Sequence, residues 1–293
     1  MGKTKEKKVV FITGTSSGFG YLTAKTLADK GHKVYASMRD TGSRNKVKKE
    51  ELEKYVDNLK VVDCDVLSTD SVNKAIQSVI DAEDRIDVLI NNAGYGLSGP
   101  VELTSDEVVH HLFDTNVYGT IRTIKAVLPK MREQRDGLII NFSSVVGQVS
   151  IPIEGVYCAS KAAVEGLSEA LLGEGYLFNI KVVVLQPHAF GTDFMGRSMK
   201  RAVEPETSGE YKKPFQTFVD KLKNMVNPKS SPQEVADKIA WIIEQKKPPF
   251  RVPVGKNARR DLFFSKLLAP LTLQKIAAKM YGLGDIFKKI PKE

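Results

Sequence analysis

Tyr157 and Lys161 stand four residues apart in Tyr157-Cys158-Ala159-Ser160-Lys161, and the pair Ser143-Ser144 lies thirteen to fourteen residues upstream of the tyrosine. On a helix, positions i and i+4 share one face, so a phenol and an ammonium can point into one site. There the positive charge favours phenolate and is expected to lower the phenol pKa from its ordinary value of about 10. A tyrosine tuned in this way can give or take a proton near neutral pH. The spacing by itself also fits an ordinary helix with one exposed lysine, so the surrounding elements must decide.

Lys8-Val9-Val10-Phe11-Ile12-Thr13 is a short apolar run with β-branched residues and reads as a buried strand. It leads into Gly14-Thr15-Ser16-Ser17-Gly18-Phe19-Gly20 and then a helix-like stretch, Tyr21 to Lys30. Gly14 can supply a tight turn, Gly18 lets backbone approach a pyrophosphate, and Gly20 lets helix and strand pack closely. The free N–H groups at the helix start attract phosphate. The spacing is G-x-x-x-G-x-G and not the G-x-G-x-x-G of long-chain dinucleotide folds.

Strand-like runs at 8–13, 33–38, 59–63, 86–91, 137–142, 180–186 and 250–254 alternate with helix-like stretches, the signature of a parallel sheet with covering helices. Thr104-Ser105-Asp106-Glu107 reads as a capping box opening a long helix that ends near Pro129. Ser231-Pro232-Gln233-Glu234 opens another, through Trp241 to about Gln245. At 293 residues and 42% hydrophobic content the chain can bury one large α/β core. No run of about 18 apolar residues predicts a transmembrane helix, and Met1 to Lys8 is too polar and short for a secretory signal. Cys64 and Cys158 form no metal or disulfide framework, which fits a reducing cytoplasm. His32, His110 and His111 lack neighbours that suggest a metal, so no metal site is assigned.

The net charge of +9 is uneven: residues 1–8 carry +3, residues 256–293 carry +6, and residues 9–255 sum to zero. A neutral body without zinc-ligand spacing or aromatic RNA-binding motifs argues against nucleic-acid binding. The basic C-terminal stretch 257–290 also carries a helical apolar set, including Leu273, Ile276, Ala277 and Met280. It reads as a helix packed on its own domain or on a dimer partner. A membrane-surface helix or a flap over a greasy substrate is the alternative. Pro270, Gly282 and Gly284 argue against a single long helix.

Thr13-Gly14-x-x-x-Gly18-x-Gly20, Asn91-Asn92-Ala93-Gly94, Ser144 and Tyr157-x-x-x-Lys161 together resemble the short-chain dehydrogenase/reductase family, in the same order and at familiar distances, over residues 8 to about 195. The resemblance implies a single Rossmann-type, doubly wound, seven-stranded parallel sheet in the order 3-2-1-4-5-6-7, with helices on both faces and a C-terminal helical extension. Residues 1–255 would be the dinucleotide-binding catalytic domain, with a substrate-covering loop at about 188–230, and 256–293 a basic extension. It also implies a homodimer or homotetramer through the helices at 105–130 and 155–173.

The same resemblance implies roles. Tyr157 protonates a carbonyl oxygen while hydride arrives from nicotinamide, or removes the alcohol proton in reverse. Lys161 keeps Tyr157 acidic and holds the nicotinamide ribose. Ser144 bonds the substrate oxygen, Ser143 caps the strand end, and Asn116 holds a water in a proton relay to the lysine. Gly14, Ser16, Ser17, Gly18, Phe19 and Gly20 form the phosphate loop. Asp65 sits near the adenine, Asn92, Ala93 and Gly94 run beside its ribose, and Pro187 and Thr192 serve the nicotinamide. The family's NAD-selecting acid falls at Met38, which accepts no hydroxyl bond, and Arg39 follows, able to grip a 2′-phosphate. NADP(H) is therefore expected over NAD(H), although Asp40 could reach the ribose or pair with Arg39.

His188 replaces the glycine of the family's Pro-Gly-x-x-x-Thr in Pro187-His188-Ala189-Phe190-Gly191-Thr192. It could line the substrate pocket, titrate locally, or be a tolerated surface residue. Val34 to Asp40 and the long extension look most like the steroid and retinoid branches, which implies a bulky apolar alcohol or ketone. Phe190, Phe194, Met195, Met199 and Phe215 are candidates for its lining. A dehydratase or epimerase is disfavoured by the compact glycine spacing, and an enoyl reductase by the undisturbed tyrosine–lysine spacing. A non-catalytic NADP(H) sensor acting through the basic tail would need none of the proton chemistry.

Overall fold

The computed structural model describes residues 6–188, 190, 198–225 and 231–284. Its strands are β1 Val9–Thr13, β2 Lys33–Met38, β3 Leu59–Asp63, β4 Val88–Asn91, β5 Gly96–Ser98, β6 Gly137–Phe142, β7 Ile180–Pro187, β8 Met199–Arg201 and β9 Arg251–Val254. Its α-helices are α1 Gly18–Asp29, α2 Lys46–Glu53, α3 Thr69–Glu83, α4 Asp106–Phe113, α5 Gly119–Gln134, α6 Gly155–Tyr176, α7 Lys212–Met225, α8 Gln233–Glu244, α9 Ala258–Ser265 and α10 Pro270–Met280.

Seven strands join in one parallel sheet in the order β3-β2-β1-β4-β6-β7-β9. Counted among themselves, these are the seven expected strands in the expected order. Both faces are buried, so strand residues alternate between two cores. Val10, Ile12, Val34, Ala36, Ile140 and Leu185 pack under α1 and α8. Val9, Phe11, Tyr35, Ile139 and Val182 pack under α3, α5 and α6.

The segment 106–134 departs from expectation. It does not end near Pro129, because α5 continues to Gln134 with that proline inside it. Pro129 lies on the exposed face, as does Lys125 four residues earlier, where a carbonyl without its helical partner can be hydrated. The inner face, Ile124, Val127 and Met131, stays in the core and holds the helix together. Between α4 and α5 the backbone forms a π-helical turn over Asp114–Tyr118. A second unexpected element is the short parallel pair β5 and β8, which ties residues 96–98 to 199–201.

The C-terminal residues form two helices, as the prolines and glycines suggested. Ala277 and Ala278 of α10 and Leu283 pack with Phe215, Phe218, Val219 and Leu222 of α7 and with Ile151 and Ile153. The rings of Phe218 and Tyr281 stack with centroids 5.1 Å apart. The end of the described chain thereby forms a lid over the loop between β6 and α6.

Candidate active site

The C-terminal ends of the strands open onto one cavity of about 1190 Å³. Gly14, Ser16, Ser17, Gly18 and Phe19 line it after β1, Met38 and Arg39 at β2, and Asp65 after β3. Asn92, Ala93 and Gly94 follow from β4, Ser144 from β6, Pro187 from β7, and Tyr157 and Lys161 from α6. Crevices at the carboxyl ends of parallel strands are where open α/β sheets bind ligands. A second hollow of about 810 Å³, between α3 and α5, contains none of these residues.

The glycine loop is shaped for close approach. Gly14 has φ +71°, and a β-carbon there would sit 2.8 Å from the Ala93 Cα. At Gly20 a β-carbon would come within 2.4 Å of the Gly14 carbonyl and of Asn92 Nδ2. Asn92 laces the loop by donating from Nδ2 to the carbonyls of Thr13 and Gly14 at 2.9 and 2.8 Å. Ser17, the N-cap of α1, makes no capping bond with its side chain. Its hydroxyl and the first N–H groups of α1 are thus available to a phosphate. This cradle fits a dinucleotide.

Tyr157 and Lys161 share a face of α6 and both are buried. Lys161 Nζ lies 5.8 Å from the phenol ring centroid and donates to the Phe142 carbonyl at 2.9 Å. The Ser144 hydroxyl hydrogen-bonds the phenol, accepts from Val146 N–H at 3.3 Å and donates to the Pro187 carbonyl at 3.4 Å. Ser143 points away and donates to the carbonyls of Ser144 and Lys161. The phenol pKa is raised, not lowered as the lysine alone suggested. Burial is the main cause, Glu154 and Cys158 add to it, and Ser144 opposes them. Burial also pushes the Lys161 ammonium down to about 8.

Asn116 lies in the π-helical turn, fully buried. Its Oδ1 accepts from Tyr95 N–H at 3.0 Å, and its Nδ2 donates to the Tyr95 carbonyl at 2.9 Å and to Ser160 Oγ at 3.2 Å. A β-carbon on Gly94 would meet Asn116 Oδ1 at 2.9 Å and Lys161 Nζ at 3.8 Å, so these three positions crowd together. The amide ties the loop after β4 to α6.

The family model for short chain dehydrogenase matches residues 8–202. The chain belongs to the short-chain dehydrogenase/reductase family. It is 36% identical over 279 residues to a 3-ketodihydrosphingosine reductase of Bacteroides thetaiotaomicron, covering 94% of this chain and 98% of the relative. It is 35% identical over 254 residues to human retinol dehydrogenase 8, covering 83% and 80%. A short-chain dehydrogenase from Streptomyces avermitilis superposes with a TM-score of 0.77 at 29% identity, covering 97% and 98% of the two chains. A serine dehydrogenase complexed with NADP+ does so at 0.70 and 26%, covering 84% and 94%. The chain is an oxidoreductase of this family with a nicotinamide cofactor.

Within this short-chain dehydrogenase/reductase the expected residues converge, with particular exceptions. Asp65 lines the cavity, but its Oδ1 also accepts from Leu67 N–H at 3.0 Å, the turn role open to it. Asp40 does not pair with Arg39; it takes a left-handed conformation at φ 55° and its carbonyl accepts from Ser43 and Asn45 N–H. His188 lines the cavity and its Nε2 lies 3.2 Å from Asp261 Oδ2 of α9. Phe190 and Met199 line it as expected. Phe215 is instead a core residue under α10, turned inward by the helical period of α7. Thr192, Phe194 and Met195 lie outside the described residues. Cys158 is buried beside Tyr157 with its thiol pushed up to about 12, so it is a small packed hydrophobe.

Three of the lining residues that the sequence did not single out bear on the chemistry. Arg44, just after β2, joins Arg39 at the rim. Tyr281 and Glu154 line the deep end beside Tyr157. The signal for Arg44 was present in the sequence as a second cation five residues beyond Arg39. Glu154 and Tyr281 carried none, since they are far apart in the sequence and only the fold brings them together. Among the described residues no cluster of His, Cys, Asp and Glu could hold a metal, and no helix is long and apolar enough to cross a membrane.

Proposed function

We propose that this short-chain dehydrogenase/reductase reduces the carbonyl of a long apolar molecule to an alcohol, and reverses the step, with NADP(H) and with Tyr157 as the acid–base group. The observation that carries this is the continuity of one cavity. It starts at the glycine loop, passes Ser144 and Tyr157, and ends among Leu222, Leu268, Leu273, Ile276, Ala277 and Met280. The molecules in the names of both relatives are long and largely apolar, which supports the same class here.

The cofactor, when bound, supplies or accepts the hydride. The protein's part is the proton. A phenol held protonated by burial is a ready donor to a carbonyl oxygen, and Ser144 is placed to hydrogen-bond the same oxygen. Once the proton has gone, the nearby Lys161 ammonium stabilises the phenolate in a water-poor site. Asn116 acts as a positioning residue that holds the loop packed against Lys161.

The choice of NADP(H) rests on the end of β2. Met38 occupies the place of a ribose-binding acid, and Arg39 and Arg44 both face the cavity. Asp63, the nearest strand-end carboxylate, is engaged by Thr41 N–H at 2.8 Å. Charge-assisted bonds are worth about 1.5–3 kcal/mol each. The double variant Arg39→Ala, Arg44→Ala is therefore expected to raise KM for NADPH about 100-fold and to change KM for NADH less than about threefold. Equal effects on the two cofactors would remove the 2′-phosphate role.

The apolar end reaches the surface at a patch that fits a lipid bilayer. Phe263 and Phe264 on α9, Leu267 in the turn that follows, and Leu271, Ile276 and Met280 on α10 are exposed. Arg259, Arg260, Lys266, Lys275 and Lys279 lie on the same segment. Such cations gain about 1 kcal/mol each near an anionic surface. Cosedimentation with phosphatidylserine vesicles is expected to exceed that with phosphatidylcholine vesicles. The double variant Phe263→Glu, Leu267→Glu should cut it at least about fivefold, since neither residue lines the cavity. Vesicle binding unaffected by lipid charge and by this variant would exclude the contact.

A further inference from the structure

One acid in the cavity has no part in the chemistry above. Glu154, at the N-cap of α6, is 4% exposed and lines the deep end, and its Oε1 has no hydrogen-bond partner. A buried carboxylate without a partner is costly, and a glutamine or an apolar side chain would fill the same space without that cost. Burial alone raises its pKa, with no cation lowering it. Its charge instead raises three weak acids around it, the Tyr157 and Tyr281 phenols and the Cys158 thiol. Among the described residues the pocket therefore presents an acceptor with acids about it and no cation acting on it.

Its place limits what could meet it. Glu154 precedes Tyr157 by three residues, so their β-carbons lie about 5–6 Å apart on one side of the helix start. Both side chains line the same cavity and Glu154 acts electrostatically on the Tyr157 phenol, so a substrate whose carbonyl meets Tyr157 at about 3 Å has a neighbouring carbon within range of Glu154. An ammonium on that carbon reaches a carboxylate oxygen at about 2.8 Å. It would supply both the missing donor and the opposite charge.

We infer that Glu154 is the counter-ion for a protonated amine on the carbon next to the reacting carbonyl, so that the enzyme selects long-chain amino ketones over uncharged ketones of the same length. This rests on the reductase reading above for its chemistry, but the cation site can be tested without turnover.

Binding of dodecylamine and of 1-dodecanol to the NADPH-loaded protein would be measured by calorimetry, for wild type and Glu154→Gln. Wild type is expected to prefer the amine by about 10–150-fold, the range of a charge-assisted bond, and the variant by less than about threefold. In parallel, kcat/KM would be compared for a 2-amino-3-ketone and the matching 3-ketone without the amine. The same preference should appear in wild type and collapse in the variant, mainly through KM for the amino ketone. No amine preference in wild type, or a preference that survives in Glu154→Gln, overturns the inference. Amine preference in binding with neither ketone reduced would leave the cation site standing and discard the reductase reading.

Discussion

Replacing Tyr157 by phenylalanine is expected to lower kcat/KM for carbonyl reduction by about 10²–10⁴-fold, the usual contribution of a positioned acid. The change removes one oxygen. The ring keeps its packing against Leu97 and Leu112, and the lost bond to Ser144 costs about 1 kcal/mol. Thermal unfolding should therefore move by only a few degrees while turnover collapses. The assay follows consumption of NADPH and NADH with carbonyls from small and polar to long and apolar, with the variant beside wild type. More than about a tenth of wild-type activity in the variant would move the proton transfer to another group. Preference for small polar carbonyls would remove the substrate class.

The second large effect is on stability and has a direction set by pH. Burial raises the Glu154 carboxyl from 4.5 to about 8. Below about 4.5 folded and unfolded chains both hold the proton, and the residue costs nothing as a charge. Between 4.5 and 8 the unfolded chain releases it while the folded chain keeps it, so wild-type stability falls as pH rises and stays low above 8. At about 1.4 kcal/mol per unit the loss is about 3–5 kcal/mol. Glu154→Gln lacks this loss. Its advantage over wild type is expected to widen by that amount from pH 5 to pH 9, on the order of 10 °C in Tm. Lys161, lowered to about 8, acts in the opposite sense above that pH, but equally in both proteins. Parallel Tm curves for the two would show that Glu154 is hydrated or paired in solution.

The sheet was legible because its strands are buried on both faces. Runs such as Val9–Thr13 and Ile180–Gln186 are mostly apolar, and turn residues separate them. The cofactor end was legible for a related reason, since glycines are required where backbone must come close, as at Gly20. What could not be read is what depends on distant packing. Gly96-Leu97-Ser98 has no periodicity of its own and becomes a strand only by pairing with residues about a hundred positions later. Pro129 looked like a helix end because the sequence does not say which side of the helix meets water. Glu154 carries no signal in the sequence, and only the fold buries it in the cavity beside Tyr281. The phenol of Tyr157 was expected to follow its lysine, but the cost of burial outweighs that charge.

The lid formed by α7 and α10 has a consequence for how the molecule is made. The nucleotide wall of the cavity is complete once the chain has been synthesised as far as Pro187, whereas the apolar wall waits for Leu222 and then for Leu273 to Tyr281. A nascent chain emerging from the ribosome thus acquires a place for the dinucleotide well before it has any enclosure for a greasy guest. Translation in this order finishes the cofactor's wall first and leaves the enclosure of the guest to segments made later.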